Sequence, residues 1–208
     1  VFEVTAMENI VTLDGTVRYT KGQVVDTITT GIDGVATTKL LYLGKYQCKE
    51  ITAPYGTVLN KNPINIELTY AGENVTITAT STLFVNQRQK VVVNLKKTLE
   101  QDNVFGIGNN GEIRSVKFGL FADEKITAAD GKFIPKDGLL ETTYCDANGN
   151  IAFATDLPVG AKVYVKELST DEHYLLNNKK YTVVFDYAGQ ETETVRITIN
   201  GGEAIENK

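Results

Sequence analysis

A chain of 208 residues, 42% hydrophobic and 23% charged, has length for one large domain or two of about 100 residues and enough apolar material for real cores. Its net charge of −5 and pI of about 5.0 argue against nucleic acid or an anionic membrane as partner, and no apolar run approaches the ~20 residues of a membrane helix, so no membrane insertion is expected. One histidine (His173), no tryptophan and two cysteines remove most histidine-based catalytic and zinc schemes and weaken a sugar-stacking face; no cofactor and no metal are expected.

Along the chain, period-2 alternation dominates and helical periodicity is hard to find. The chain opens on Val-Phe-Glu-Val without a signal peptide, as expected for a processed chain or an internal fragment. Turn signals at Asp14-Gly15 and Asp33-Gly34 precede Tyr46, Cys48 and Glu50, which share one strand face. Ile64, Ile66, Leu68 and Tyr70 alternate next, then Ala71-Gly72 and a set Val75, Ile77, Ala79. Asn74-Val75-Thr76 fits a glycosylation acceptor but reads as the start of that strand. Phe84 shares parity with Asn86, and Val91, Val93, Leu95 and Lys97 line one face of a further strand, with Asn94 and Lys96 on the other. Gly106-Ile107-Gly108-Asn109-Asn110-Gly111 matches G-x-G-x-x-G, but the next segment, Arg114–Leu120, alternates as a strand; the dinucleotide motif needs a helix there, so a flexible loop is expected. Asp146–Asn150 starts like a calcium loop, yet Ile151 and Leu157 stand where glycine and an acid belong, leaving an Asx-type turn. Val163, Val165 and Glu167 share a face; Tyr181, Val183, Phe185 and Tyr187 alternate, as do Val195, Ile197 and Ile199; Ile205 shares parity with Asn207. Short strands with regular turns predict an all-β sandwich or barrel.

The pattern repeats. Lys49-Glu50 and Tyr70-Ala71-Gly72-Glu73 recur 117 positions later as Lys166-Glu167 and Tyr187-Ala188-Gly189-Gln190; Gly34 matches Gly149, and Phe2 and Val4 match Phe118 and Leu120. The chain therefore reads as two copies of one domain, residues 1–89 and 90–208, divided near Gln87–Lys90 by a very short linker that favours a semi-rigid rod. Val1 aligns with Lys117, so the first copy is expected to lack its first strand, the counterpart of Val91–Lys97.

Strand parity points a glutamate inward in both copies. A buried unpaired carboxyl is costly and more readily protonated than one in water; one instance would be a strand-end accident, but two at matching repeat positions argue for a shared purpose. Lys97 and Asn207 face the same core, and an amine, a carboxyl and a carboxamide pack well together only if they bond or react.

Tyr46-x-Cys48-x-Glu50-x-x-Ala53-Pro54-x-Gly56 resembles the E-box, Y-x-L-x-E-T-x-A-P-x-G-Y, of Cna B-type (SpaA-like) domains from Gram-positive pilins and cell-surface adhesins. The first copy departs from it at Cys48, Ile51 and Thr57; the second keeps Glu167 and Tyr174 but loses Ala-Pro. Leu157-Pro158-x-Gly160 and Tyr42–Tyr46 are similar to the L-P-x-G-x-Y that precedes the E-box. The resemblance covers essentially the whole chain. It implies two tandem Ig-like/prealbumin-like β-sandwich domains, and an intramolecular isopeptide bond in which Lys97 is the nucleophile, Asn207 the acceptor and Glu167 the proton shuttle. In the first copy it makes Glu50 the shuttle and Asn86 the acceptor, with a lysine expected upstream of Val1. The lysine must be neutral to attack, which burial favours. Such a bond would close a loop of about 110 residues, worth roughly 4–5 kcal/mol by analogy with disulfides. Cys48 and Cys145, in different copies, are expected to stay unpaired. The implied function is a structural stalk or pilin segment rather than an enzyme, outside the cell, with neighbouring domains or pilus subunits as partners. An adhesin binding host matrix or glycan through Glu8–Val25 or Asp102–Gly111 is the alternative. No L-P-x-T-G sorting signal and no clear pilin lysine motif is present.

Overall fold

A computed structural model describes residues 1–208, and its elements are strands apart from two single-turn 3-10 helices. In chain order the strands are β1 (Phe2–Ala6), β2 (Ile10–Val11), β3 (Val17–Tyr19), β4 (Val24–Ile28), β5 (Gly44–Glu50), β6 (Thr57–Val58), β7 (Ile64–Leu68) and β8 (Gln87–Arg88), then β9 (Lys90–Leu99), β10 (Lys117–Ala122), β11 (Ile126–Thr127), β12 (Phe133–Ile134), β13 (Leu139–Tyr144), β14 (Asn150–Phe153), β15 (Lys162–Ser169), β16 (Tyr181–Val184), β17 (Thr194–Thr198) and β18 (Ile205–Asn207). The chain divides into two compact units: Val1–Arg88 with Gly189–Glu191, and Gln89–Ala188 with Thr192–Lys208.

The first unit is organised on a four-stranded antiparallel sheet ordered β4-β1-β5-β7, with two short ribbons, β2-β3 and β6-β8. The second unit repeats that sheet as β13-β10-β15-β16. The register repeats too: Phe2 lies opposite Glu50, and Phe118 opposite Glu167. The second unit adds a sheet centred on β9, which pairs antiparallel with β14 and parallel with β17 and β18. Because β9 alternates, Val91, Val93 and Leu95 point into one core with Phe118, Leu120, Phe153, Val165 and Phe185, all at most 3% exposed. The first unit has a smaller core of Val4, Ala6, Ile10, Val25, Tyr46 and Cys48.

Several expected strands differ: β7 stops before Tyr70, and β16 stops before Phe185 and Tyr187. Val75–Ala79 lies outside any strand, so Asn74-Val75-Thr76 does not start one; the matching Val195–Thr198 is a strand through its ladder with β9. Alternation marks a segment able to form a strand, and a ladder partner makes it one. Arg114–Leu120 is not one alternating strand either: a 3-10 helix, Glu112–Ser115, precedes β10. Ile199 opens the second 3-10 helix, Ile199–Gly202, instead of extending β17. The G-x-G-x-x-G stretch is a folded loop. Asp102 Oδ1 accepts the backbone N–H groups of Val104 and Phe105 at 2.8 and 3.2 Å, and the Glu112 carboxylate accepts those of Gly108 and Asn110 at 2.9 and 2.7 Å.

Candidate functional site

Lys97 sits near the end of β9, Glu167 on β15 and Asn207 on β18, and the three side chains meet inside the second unit. Lys97 and Glu167 are each 1% exposed and Asn207 is 2% exposed. Parity brings them there: Lys97 continues the inward row Val91, Val93, Leu95; Glu167 continues Val163 and Val165; Asn207 follows Ile205. Lys97 Nζ donates to Asn207 Oδ1 at 2.6 Å and to the carbonyl of Ile205 at 3.2 Å, and lies 3.5 Å from Glu167 Oε2. Asn207 Nδ2 donates to Glu167 Oε1 at 2.6 Å and to the hydroxyl of Thr170 at 3.0 Å. With an acceptor at each amide hydrogen and a donor at the carbonyl, the carboxamide has one orientation. Glu167 Oε2 is the only buried side-chain oxygen or nitrogen without a hydrogen bond. Burial pushes the Lys97 amine below its ordinary range, with the charge of Glu167 opposing it in part.

Lys96, one residue earlier, points the other way. It donates to the carbonyl of Asn148 and lies 3.4 Å from Asn150 Oδ1, at the turn whose backbone N–H groups cap Asp146 Oδ1. Cys145 is buried in the same core, and burial pushes its thiol up to about 12. Cys48 is buried in the other unit, and both thiols are free. No group of three or more His, Cys, Asp or Glu side chains is placed to hold a metal ion. No helix is long and apolar enough to cross a membrane.

The first unit holds a partial counterpart. Glu50, 1% exposed at the end of β5, accepts Asn86 Nδ2 at 2.7 Å and the backbone N–H of Asn60 at 2.7 Å on the same oxygen, Oε2. Asn86 Nδ2 also donates to the carbonyl of Val58 at 3.0 Å. The structure thus brings Glu50 and Asn86 together as it does Glu167 and Asn207.

Two polar residues lie beyond the reach of strand parity. Thr170 follows the end of β15, where alternation no longer encodes direction. Gln89, 1% exposed just before β9, donates to the carbonyl of Thr192 at 2.7 Å and accepts the N–H of Ala188 at 2.8 Å, pinning both ends of the turn before β17. Only its position in front of the alternating run hints at burial.

Two antiparallel sheets of one strand order, one of them faced by a second sheet around a buried Lys-Glu-Asn set, define a tandem prealbumin-like β protein. The SpaA prealbumin-like fold domain model matches residues 2–83 and 105–200, and the chain belongs to that family. No sequence of the curated set of proteins matches the chain. Among solved structures it is similar to the Bacillus anthracis TIE protein (19% identity, TM-score 0.52), covering all of this chain and 30% of that one. It is also similar to a C-terminal fragment of the pilus adhesin SpaC from Lactobacillus rhamnosus GG (16% identity, 99% and 87% coverage, TM-score 0.40) and to GBS52, the minor pilin of Streptococcus agalactiae (16% identity, 100% and 81% coverage, TM-score 0.33). The chain therefore spans less than a third of the TIE protein.

Proposed function

We propose that the chain is a load-bearing, pilin-like stalk segment of a bacterial cell-surface protein, built of two domains, residues 1–89 and 90–208. In this reading the second domain locks itself with an isopeptide bond between Lys97 and Asn207. The observation that carries it is the buried hydrogen-bonded set in which Lys97 Nζ lies 2.6 Å from the carbonyl oxygen of the Asn207 carboxamide.

The chemistry rests on the contacts. Burial favours the neutral amine, the form with a free lone pair. Glu167 Oε2, with no hydrogen bond of its own and 3.5 Å from Nζ, is placed to take the lysine proton. Attack forms the Nζ–Cγ bond. Glu167, whose Oε1 is 2.6 Å from Nδ2, then delivers a proton to the departing nitrogen. The Cγ–Nδ2 bond breaks and one ammonia leaves. This is a single self-modification, not turnover.

Mechanical function derives from topology. Tension would enter the second domain at the start of β9 and leave after β18. A bond from residue 97 to residue 207 passes that tension between two adjacent parallel strands and takes the 110-residue span between them out of the load path. Family membership supports this reading, which places the chain outside the cell, with adjoining domains or subunits of the same fibre as partners.

Intact-mass measurement of the purified chain tests it. The expected mass is one ammonia below the sequence mass; the full sequence mass would sink the crosslink. A second reading, an adhesin segment, draws on Val104 and Phe105, 85% and 79% exposed on the Asp102–Gly111 loop. Binding of the fragment to host matrix that is lost on Phe105→Ser would favour it.

A further inference from the structure

Asn-Gly steps occur at three places, all in the second unit: Asn110-Gly111, Asn148-Gly149 and Asn200-Gly201. At such a step the backbone nitrogen of glycine reaches the preceding carboxamide without hindrance, because glycine carries no Cβ. The fold treats the three steps differently. Gly149 is buried, its N–H donates to the carbonyl of Asp146 at 3.0 Å, and a Cβ there would meet the carbonyl oxygen of Lys97 at 2.1 Å. Asn148 is held as well: its N–H donates to Asp146 Oδ1 at 2.8 Å and its carbonyl accepts Lys96. Asn200-Gly201 lies inside the second 3-10 helix, whose i→i+3 bonds engage backbone N–H groups, and Asn200 Nδ2 donates to the carbonyl of Glu203 at 3.2 Å. Asn110 and Gly111, by contrast, are both exposed. The N–H of Gly111 has no hydrogen-bond partner, and a Cβ on Gly111 would meet nothing within 4 Å.

We propose that Asn110 is a site of spontaneous modification, converted to aspartate and isoaspartate through a succinimide formed with Gly111. The backbone nitrogen of Gly111 bonds to Asn110 Cγ, its proton passes through water to Nδ2, the Cγ–Nδ2 bond breaks and ammonia leaves. Water then opens the ring at either carbonyl, so the net change is one ammonia out and one water in. The product alters the loop that carries it. Asn110 Nδ2 donates to the carbonyl of Gly106 at 2.6 Å, and a carboxylate has no donor to replace that bond. The new charge also stands two residues from Glu112, whose carboxylate holds the N–H groups of Gly108 and Asn110 at 2.9 and 2.7 Å. Like charges so placed oppose each other. The isoaspartate form adds a methylene to the backbone and shifts Asn110 N–H relative to Glu112. The Asp102–Gly111 loop, which exposes Val104 and Phe105, therefore loosens as the chain ages.

The test holds the full chain in mildly alkaline buffer and follows digests by fragmentation mass spectrometry. The peptide containing Asn110 should gain one mass unit and become a substrate for isoaspartyl methyltransferase well before the peptides containing Asn148 and Asn200. In urea, where the fold protects none of them, all three should convert at similar rates. Asn110→Gln, whose longer amide would have to close a six-membered ring, should stay unchanged at that position. An Asn110 peptide that persists in the folded chain, or conversion of Asn148 or Asn200 at the same rate, overturns the proposal. Hydrogen exchange at the Gly108 amide should be faster in Asn110→Asp than in the parent chain; equal exchange overturns the loosening. The Lys97–Asn207 bond is read separately. It joins two peptides and needs Lys97, whereas this change stays within one peptide and should proceed equally in the Lys97→Ala chain.

Discussion

The hydroxyl of Thr170 accepts a hydrogen bond from Asn207 Nδ2 at 3.0 Å, three residues beyond the glutamate that accepts the other hydrogen of the same amide. The first unit has Ala53 at that spacing from Glu50 and uses the backbone carbonyl of Val58 instead. Thr170 therefore positions the carboxamide for Lys97 without touching the amine. Thr170→Val, which keeps the shape and removes the acceptor, should slow crosslinking about tenfold, the rate equivalent of one hydrogen bond of about 1–1.5 kcal/mol. Thr170→Ser should restore it. Intact mass sampled during synthesis reads both; equal rates for Val and wild type would assign Thr170 no part.

Neighbouring lysines separate chemistry from charge. Lys97→Ala should leave the full sequence mass, while Lys96→Ala, which loses only contacts at the Asn148 turn, should still lose one ammonia. Both replace one lysine of the same strand with alanine, so a difference between them reflects position. The uncrosslinked Lys97→Ala chain should lose roughly 4–5 kcal/mol of second-unit stability from the opened loop, by analogy with disulfides. It loses the stem contacts of a buried side chain besides. Lys97→Met restores the stem and isolates the bond. Denaturant unfolding of the three variants checks the order, wild type above Met above Ala.

Much of this was legible because strands have a period of two. The inward row Val91, Val93, Leu95, Lys97 separated Lys97 from Lys96, and the same rule turned Glu50, Glu167 and Asn207 inward. Repetition did the rest, since a sheet of one order appears in both units. What stayed illegible depends on long-range partners. Val75, Ile77 and Ala79 alternate as well as Val195, Ile197 and Ile199, but only the second set has β9 beside it, and there Ile199 turns into a 3-10 helix. Thr170 lies one residue past a strand end, where spacing carries no information on direction.

Burial of Lys97 sets a pH dependence that unlinked variants expose. In the folded, uncrosslinked chain its pKa lies below 10.5 because burial penalises the ammonium, while the unfolded chain keeps the ordinary value. Between the lowered value and 10.5 the unfolded chain binds more protons, so raising pH stabilises the fold. The penalty from Lys97 is full below its folded pKa and gone above 10.5. Cys145 and Tyr46, each pushed up to about 12, act in the opposite sense and must be cancelled. Comparing Asn207→Ala with Asn207→Ala/Lys97→Met does so. The advantage of the methionine variant should shrink steadily as pH rises toward 10.5, read by urea unfolding at each pH. A difference independent of pH would show that Lys97 is not penalised by burial.

Gly149 and Gly34 give a matched pair of backbone tests. Both occupy the left-handed region, where an alanine costs about 1–2 kcal/mol whatever surrounds it. At Gly149 the added Cβ would also strike the carbonyl of Lys97 at 2.1 Å, on the strand whose N–H at Lys97 donates to the Gly149 carbonyl at 2.7 Å. Neither atom can yield without displacing β9 and the lysine with it. Gly149→Ala should therefore destabilise the second unit by clearly more than the conformational cost and lower the crosslinked fraction. Gly34→Ala should cost its own unit the conformational term alone. Urea unfolding coupled to thiol alkylation resolves the units separately, because Cys48 reports on the first and Cys145 on the second. Equal shifts for the two alanine variants would mean that β9 relaxes around the new methyl group and that Gly149 does not hold Lys97 in register.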